Sequence, residues 1–485
     1  MYSLIASLIL ISIVLTARIA SKWRLPLVVI ALSIGILFGS DVLGLIYFNN
    51  PKMAKTLADF ALVFVLFIGG FGTKKETLQT VLHPSMTLAS LGVILTAVIT
   101  ASVLYLFFDF SFKYTLLLGC IISSTDAAAV FSILRSRPLN PKLTSLLEIE
   151  SATNDPMAIV LTTVAIQLIT ANVEHPFQVG VFLLWQFFGG IGIGLLIGKI
   201  GVLIFQRVKV LDRGYFYIFL ISIILLSFGA ADVVKASGMI SAFFAGFLMG
   251  NSGIPYKKTL ESFLDALQTI ANVIIFVILG LLVFPSEFGT VWKEGLVLFL
   301  VLSFLARPVT VLICTVFDKF KSGEKVLLSW CGLRGSVPIV LATYPAAANI
   351  EGSREIFNII FFAVALSMLV QGNTISLIAS WLKLTVKPKP KPTQAMELVT
   401  LHSSDLELCE IAIDEDDYEG STFISALHLP KGTTVTMINR HDRIIAPQGS
   451  TEVFPGDILY VLVNSKNIER VTSRILGKFT AKENT

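Results

Sequence analysis

The sequence predicts an all-α polytopic membrane protein of about thirteen transmembrane helices, with a small α+β cytoplasmic domain behind them. Three observations predict this. Of 485 residues, 54% are hydrophobic and 14% charged, where soluble globular chains carry roughly a quarter charged residues, and the mean hydropathy is +0.80. Apolar runs of bilayer length, about 20 residues each, recur as far as Trp381 and then stop. The charge balance turns over in the same region, from 29 Lys/Arg against 19 Asp/Glu before residue 396 to 8 against 14 from there on. A basic membrane part suits anionic lipid headgroups and gives no footprint for nucleic acid.

Taken in order, the candidate spans cover approximately 3–20, 25–44, 55–71, 84–108, 113–135, 144–171, 178–207, 214–231, 234–250, 262–284, 290–317, 326–349 and 354–383. The first has no basic residue ahead of it, and Arg18, Lys22 and Arg24 follow. That reverses the charge order of a cleavable signal, so the run is read as a retained helix starting outside. Counting Lys/Arg in alternate loops gives twenty on one side, among them Lys74, Lys75, Arg135, Arg137, Lys142, Lys209, Lys257 and Lys258. The other side has six: Lys52, Lys55, Lys113, Lys235, Lys293 and Arg354. Positive charge is retained in the cytoplasm, which predicts a multi-pass protein of the plasma membrane with an outer N-terminus, a cytoplasmic C-terminus and an odd number of spans. The glycines at 189, 190, 192, 194, 198 and 201 lack the strand and spacing of a nucleotide loop and read as a close helix contact. The four cysteines, Cys120, Cys314, Cys331 and Cys409, form no CxxC pair and read as small reduced hydrophobes.

The expected domain limits are 1–384 for the membrane part, 385–395 for a linker and 396–480 for the tail domain. The linker contains Lys-Pro-Lys-Pro-Lys-Pro at 387–392, a stiff extended composition. In the tail, alternating runs at 407–413, 433–438 and 457–463 predict strands, and 467–475 a closing helix. Turns are expected at 440–443 and at Pro455-Gly456-Asp457.

Ionisable residues inside spans are costly and point to function. They are Asp59, Asp126, Glu150, Asp155, Lys199, Arg307 and Arg334. Lys199 lies near a span end and can snorkel; Asp59 lies one turn from an outer end and reads as meeting water. Asp126 follows Ser123-Ser124-Thr125 at mid-span and precedes three alanines, a pattern fitting a helix broken where its carbonyls face a cavity. In Glu150-Ser151-Ala152-Thr153-Asn154-Asp155-Pro156, Ser151 and Asp155 share one helix face, Glu150 and Asn154 the next. Pro156 has no N–H, which leaves the Ala152 carbonyl free to bind a ligand.

Carboxylate, hydroxyl and carbonyl oxygens can replace the water shell of a hard cation. Burial disfavours the charged form of a carboxyl group, so proton and cation compete for one site. Arg334, in Gly332-Leu333-Arg334-Gly335-Ser336-Val337-Pro338, marks a second interrupted span. Inverted-repeat transporters bring two such spans together at the midplane. A buried arginine needs a fixed carboxylate, and Glu150 is the expected partner. Arg307, in Ala306-Arg307-Pro308, fits core support or support of an unloaded site.

Thr125-Asp126, the 150–156 segment and Leu333-Arg334-Gly335, in this order, resemble the cation:proton antiporter superfamily, in its NhaP-type sodium/proton exchanger branch, over residues 5–383. The resemblance implies a thirteen-helix fold in which a core domain moves against a dimerisation domain, and a homodimer. It implies Asp155 as carrier of cation and proton, with Asp126, Thr125, Ser151 and Asn154 forming the ion site and Glu150 paired to Arg334. Asn154 before Asp155 is similar to electroneutral members. Phe67-Ile68-Gly69-Gly70 departs from the branch, since Ile68 stands where many members carry an acid. The tail resembles the TrkA-C type of potassium-conductance regulators at 432–439, 443–447 and 455–457. This implies a cytoplasmic sensor, of a nucleotide such as cyclic di-AMP, and raises K+ beside Na+ as substrate. No cofactor is expected, and no metal beyond the monovalent cation on the same residues.

An intramembrane aspartyl protease needs a GxGD motif, and a metalloprotease HExxH; the chain has neither. Its five histidines fall in loops or tail. A tail-gated cation channel accounts for the tail but not for a buried titrating Asp155, and no repeated pore-loop filter is present.

Overall fold

The computed structural model describes residues 2–20, 27–134, 137–170, 176–207, 213–386, 406–413, 418–440, 443–464 and 467–481. The Lys/Pro linker from 387 on, Lys22, Arg24, Arg135, Lys209, the tip of the 440–443 turn and His175, His402 and His441 lie outside the described residues. Two compact units are present, Met1–Val386 and Lys387–Thr485.

In the first unit, eight described helices are long and apolar enough to cross a membrane: Pro51–Gly72, Val81–Phe107, Pro141–Thr170, Gly180–Arg207, Gly214–Val233, Lys257–Leu281, Pro285–Cys314 and Ser353–Trp381. Shorter apolar helices occupy Leu4–Arg18, Val29–Phe38, Phe112–Ile121, Gly238–Gly250 and Ser336–Ala347. Local chemistry sets several ends. Asn50 caps Pro51–Gly72 by accepting from Met53 N at 3.0 Å, with Pro51 in the first turn. Single π turns at Leu88–Gly92, Trp185–Gly189 and Leu302–Ala306 rotate the faces that follow them.

The helices pack as two groups. In one, Pro51–Gly72 crosses Gly238–Gly250 so closely that a Cβ on Gly70 or Gly246 would overlap a carbonyl of the other helix. The glycine run packs the same way: Gly190, Gly194 and Gly198 lie against Ser237, Ser241 and Ala245, as helix packing requires. Leu27–Phe38 and Lys257–Leu281 complete this group. In the other, Pro141–Thr170 packs on Phe112–Ile121 and Lys75–Thr87, and Phe288–Val301 on Ser353–Trp381. The fifth and twelfth expected spans are both broken. Phe112–Ile121 stops and the chain resumes as Ala127–Ile133; Ser322–Trp330 stops and resumes as Ser336–Leu341.

The second unit contains strands β1 (Leu406–Ala412), β2 (Tyr418–Glu419), β3 (Thr422–Phe423), β4 (Thr434–Arg440), β5 (Arg443–Ile445), β6 (Glu452–Val453), β7 (Ile458–Asn464) and β8 (Thr480–Ala481). Its main sheet has the order β1-β7-β4-β5, with antiparallel neighbours and a bulge between Val435 and Met437. The helix Ile468–Leu476 buries Val471 and Ile475 with Ile438, Leu459 and Val461. Arg440 clamps Asp457 with two 2.7 Å bonds, and Asp457 accepts from Phe454 N at 2.9 Å, which closes the turn around Gly456, φ +92°.

Candidate cation-binding site

The two interruptions cross each other. Asp126 N donates to the Leu333 carbonyl at 2.8 Å. Arg334 Nη1 donates to the carbonyls of Ser123 and Ser124 at 2.7 and 2.6 Å, and Arg334 N donates to Ser367 Oγ at 3.3 Å. Charges therefore match the helix ends: the arginine stands at the carbonyl end left by Phe112–Ile121, and Asp126 at the N–H end of Ala127–Ile133, accepting from Ala129 N at 3.0 Å. Gly335 is required by this crossing, because a Cβ there would collide with the Asp126 carboxyl.

Pro141–Thr170 is tied to the first break. Ser151 Oγ donates to the Thr125 carbonyl at 2.9 Å and accepts from Ala127 N at 3.1 Å. Asn154 Nδ2 donates to Thr125 Oγ1 at 2.7 Å. Asp155, Asp126, Thr125 and Ser151 line one cavity of about 500 Å³, together with Ala152, Gly335 and Ser336. Asn154 is buried behind it, 1% exposed; its Oδ1 has no partner among the described residues.

The expected Glu150–Arg334 pair is corrected. Glu150 is held by Arg307, Nη1 to Oε1 at 2.5 Å and Nη2 to Oε2 at 2.9 Å, with Arg307 also on the Leu328 carbonyl at 3.4 Å. Arg307 is the residue after the Leu302–Ala306 π turn, which shifts its direction from that of a regular helix. Arg334 has no carboxylate within salt-bridge distance among the described residues; the carbonyls freed by the broken helix accept from its Nη1 instead.

The chain matches the family described as sodium/hydrogen exchanger, transmembrane, over residues 8–381, and the TrkA-C domain over 408–476. The K(+)/H(+) antiporter NhaP2 of Shewanella sp. (strain ANA-3) is 34% identical over 476 residues, 97% of this chain and 83% of that protein. The K(+)/H(+) antiporter NhaP of Alkalimonas amylolytica is 35% identical over 404 residues, 83% of this chain and 70% of its own. Among solved structures, the sodium proton antiporter MjNhaP1 of Methanocaldococcus jannaschii superposes with TM-score 0.68 at 25% identity, covering 78% of this chain and 97% of that one.

The chain belongs to the sodium/hydrogen exchanger family. It is a multi-pass cation/proton antiporter with a TrkA-C domain, a transporter and not an enzyme.

In this exchanger the cavity holds groups that the sequence reading passed over. Glu148 lines it from the helix of Asp155, and Asp265, Gln268 and Asn272 line it from Lys257–Leu281; Glu148 and Asp265 are exposed and mark its mouth. The signal was available, since positions 265, 268 and 272 fall on one face of an apolar helix. Ile68 lines the same cavity, so the third helix contributes a hydrocarbon where the branch often has an acid. Between Pro51–Gly72 and Ser336–Ala347, Tyr344 Oη donates to Asp59 Oδ1 at 2.6 Å, and Lys55 holds Asp59 Oδ2 at 2.5 Å. Asp59 is thus half-buried and tied down, where the sequence reading left it to water. Asp126, Asp155, Thr125 and Ser151 offer the cavity carboxylate and hydroxyl oxygens, the ligand chemistry of a hard cation.

Proposed function

We propose that this antiporter exchanges K+, with Na+ as the alternative cation, one for one with H+, and that Asp155 carries either ion. The observation supporting this is the meeting of Asp155 and Asp126 on one cavity beside Thr125 and Ser151. Thr125 supplies a hydroxyl oxygen, Ser151 keeps one acceptor position, and Asn154 fixes Thr125. One titrating carboxylate beside Asn154 moves one charge either way, which makes the exchange electroneutral. Glu150 and Arg307 form a neutral structural pair, and Arg334 is the fixed cation of the helix crossing.

The preference for K+ follows two relatives named for K+ and the TrkA-C tail. In this reading the membrane domain is 1–384, the linker 385–395 and the tail 396–480. The membrane domain crosses thirteen times, from an outer N-terminus to a cytoplasmic C-terminus. Two copies associate within the lipid, and the tail adjusts exchange on binding a nucleotide such as cyclic di-AMP. The cavity mouth, near the Lys142 and Lys257 ends of its helices, then faces the cytoplasm.

The test is dequenching of a pH-sensitive dye in everted vesicles on adding K+ or Na+. Asp155→Asn is expected to abolish the signal for both cations while the protein stays folded and membrane-inserted. Exchange at the parent rate by that variant overturns the proposal.

A further inference from the structure

The end of the membrane unit is bonded to the loop that joins the two ion-site elements. After Ser353–Trp381 the chain turns back at Lys383, φ +56°, and runs antiparallel to residues 138–140, with Leu139 opposite Thr385. Val386 N donates to the Pro138 carbonyl at 2.8 Å, and Asn140 N donates to the Leu384 carbonyl at 3.3 Å. Arg137 Nη1 reaches Ser380 Oγ at 2.9 Å. Leu139 is 4% exposed and packs in the cluster of Val130, Leu134, Leu143 and Leu146, with Leu382 and Leu384 against it.

Both sides of this clasp lead to the cation site. Asn140 Oδ1 accepts from Leu143 N at 2.9 Å and so caps Pro141–Thr170, the helix of Ser151, Asn154 and Asp155. In the other direction, Arg137 N bonds the Leu134 carbonyl at 2.9 Å, at the end of the half-helix whose first turn is capped by Asp126. Val386 is the last residue before the Lys/Pro alternation of 387–392. Such a Pro-rich composition is that of a semi-rigid spacer.

We propose that the 138–140/384–386 clasp is the transmission element through which the tail domain acts on the ion site. Displacement of Val386 by the tail moves Asn140 and the start of Pro141–Thr170, and so biases the equilibrium between orientations of the carrier helix. This rests on the reading that the tail regulates exchange.

The experiment uses the full chain with a site-specific protease site placed between residues 393 and 400, assayed in everted vesicles before and after cutting. Cutting the parent is expected to shift the K+ concentration for half-maximal exchange by roughly fivefold or more, the size of a typical coupling between sites. Val386→Pro removes the N–H donated to Pro138. A second chain carrying Pro388→Gly, Pro390→Gly and Pro392→Gly leaves every clasp bond intact and softens the linker. Both are expected to show the cut profile before cutting and no further change after it. If both respond to cutting as the parent does, the clasp is not the transmission element, while regulation by the tail stands. If cutting leaves the parent unchanged, regulation by the tail fails and the clasp proposal fails with it.

Discussion

Among the described residues of the membrane unit two arginines are buried, Arg307 at 4% and Arg334 at 2% exposure, and their terminal nitrogens are held in opposite ways. Arg307 faces a carboxylate and forms a closed, neutral pair with Glu150. Arg334 faces the carbonyls of Ser123 and Ser124, where a broken helix supplies partial negative charge but no compensating ion. The first arrangement closes on itself as a carboxylate–guanidinium pair; the second holds Arg334 on the carbonyl end of the break that precedes Asp126. One arginine therefore ties its helix to Glu150, and the other ties the second break to the first.

Breaking the pair is expected to give the largest effect. Glu150→Gln leaves Arg307 charged and alone, at a cost of about 3–5 kcal/mol, seen as a large fall in the unfolding temperature of the detergent-solubilised protein. The double variant Glu150→Leu with Arg307→Met replaces the pair by hydrocarbon and is expected to recover most of that loss. Single variants as stable as the parent would refute the pair.

Arg334→Gln tests the other half. Glutamine is two bonds shorter, so it gives up the bonds to the two carbonyls but leaves no buried ion behind, and the stability loss is expected to be smaller, about 1.5–3 kcal/mol for a charged hydrogen bond removed. Exchange is expected to fall out of proportion to that loss, whereas the 150/307 double variant retains it. An Arg334→Gln protein that loses as much stability as Glu150→Gln and still exchanges at the parent rate reverses the comparison.

The difference between these arginines explains what could be read in the sequence. Both breaks were legible, because Ser123-Ser124-Thr125 and the Gly332, Gly335, Pro338 set are locally incompatible with a continuous apolar helix. The tie from Asn154 and Ser151 to Thr125 was legible as a shared site, since all lie next to the two aspartates. The partner of Glu150 was not, for two physical reasons. The π turn ahead of Arg307 leaves no mark in Leu302-Ser303-Phe304-Leu305-Ala306, and the rule that a buried arginine needs a carboxylate neglects carbonyls freed by a break. Asp59 was equally hidden, as its partner Tyr344 lies 285 positions away.

The same contrast between a charge held by an ion and one held by a polar neutral group recurs at Asp59, on a smaller scale. Lys55 neutralises it within one helix, and Tyr344 binds it from the element that follows the second break. Only the second bond joins the two helix groups. Tyr344→Phe removes that bond and keeps the ring beneath Lys55, a change of about 1.5–3 kcal/mol for a bond to a charged carboxylate, enough to alter the population of a state closed at the Lys55 end several-fold or more. With Ser336→Cys as reporter in the cavity, labelling by a membrane-impermeant thiol reagent applied from the face of Lys55 is expected to speed up several-fold in the phenylalanine variant. Lys55→Met, which leaves the tyrosine bond in place, is expected to change it less. Equal labelling in parent and Tyr344→Phe would mean that the hydrogen bond from Tyr344 does not hold the Lys55 end shut, and that closure there rests on packing, to which buried Ala58, Leu62 and Leu341 contribute.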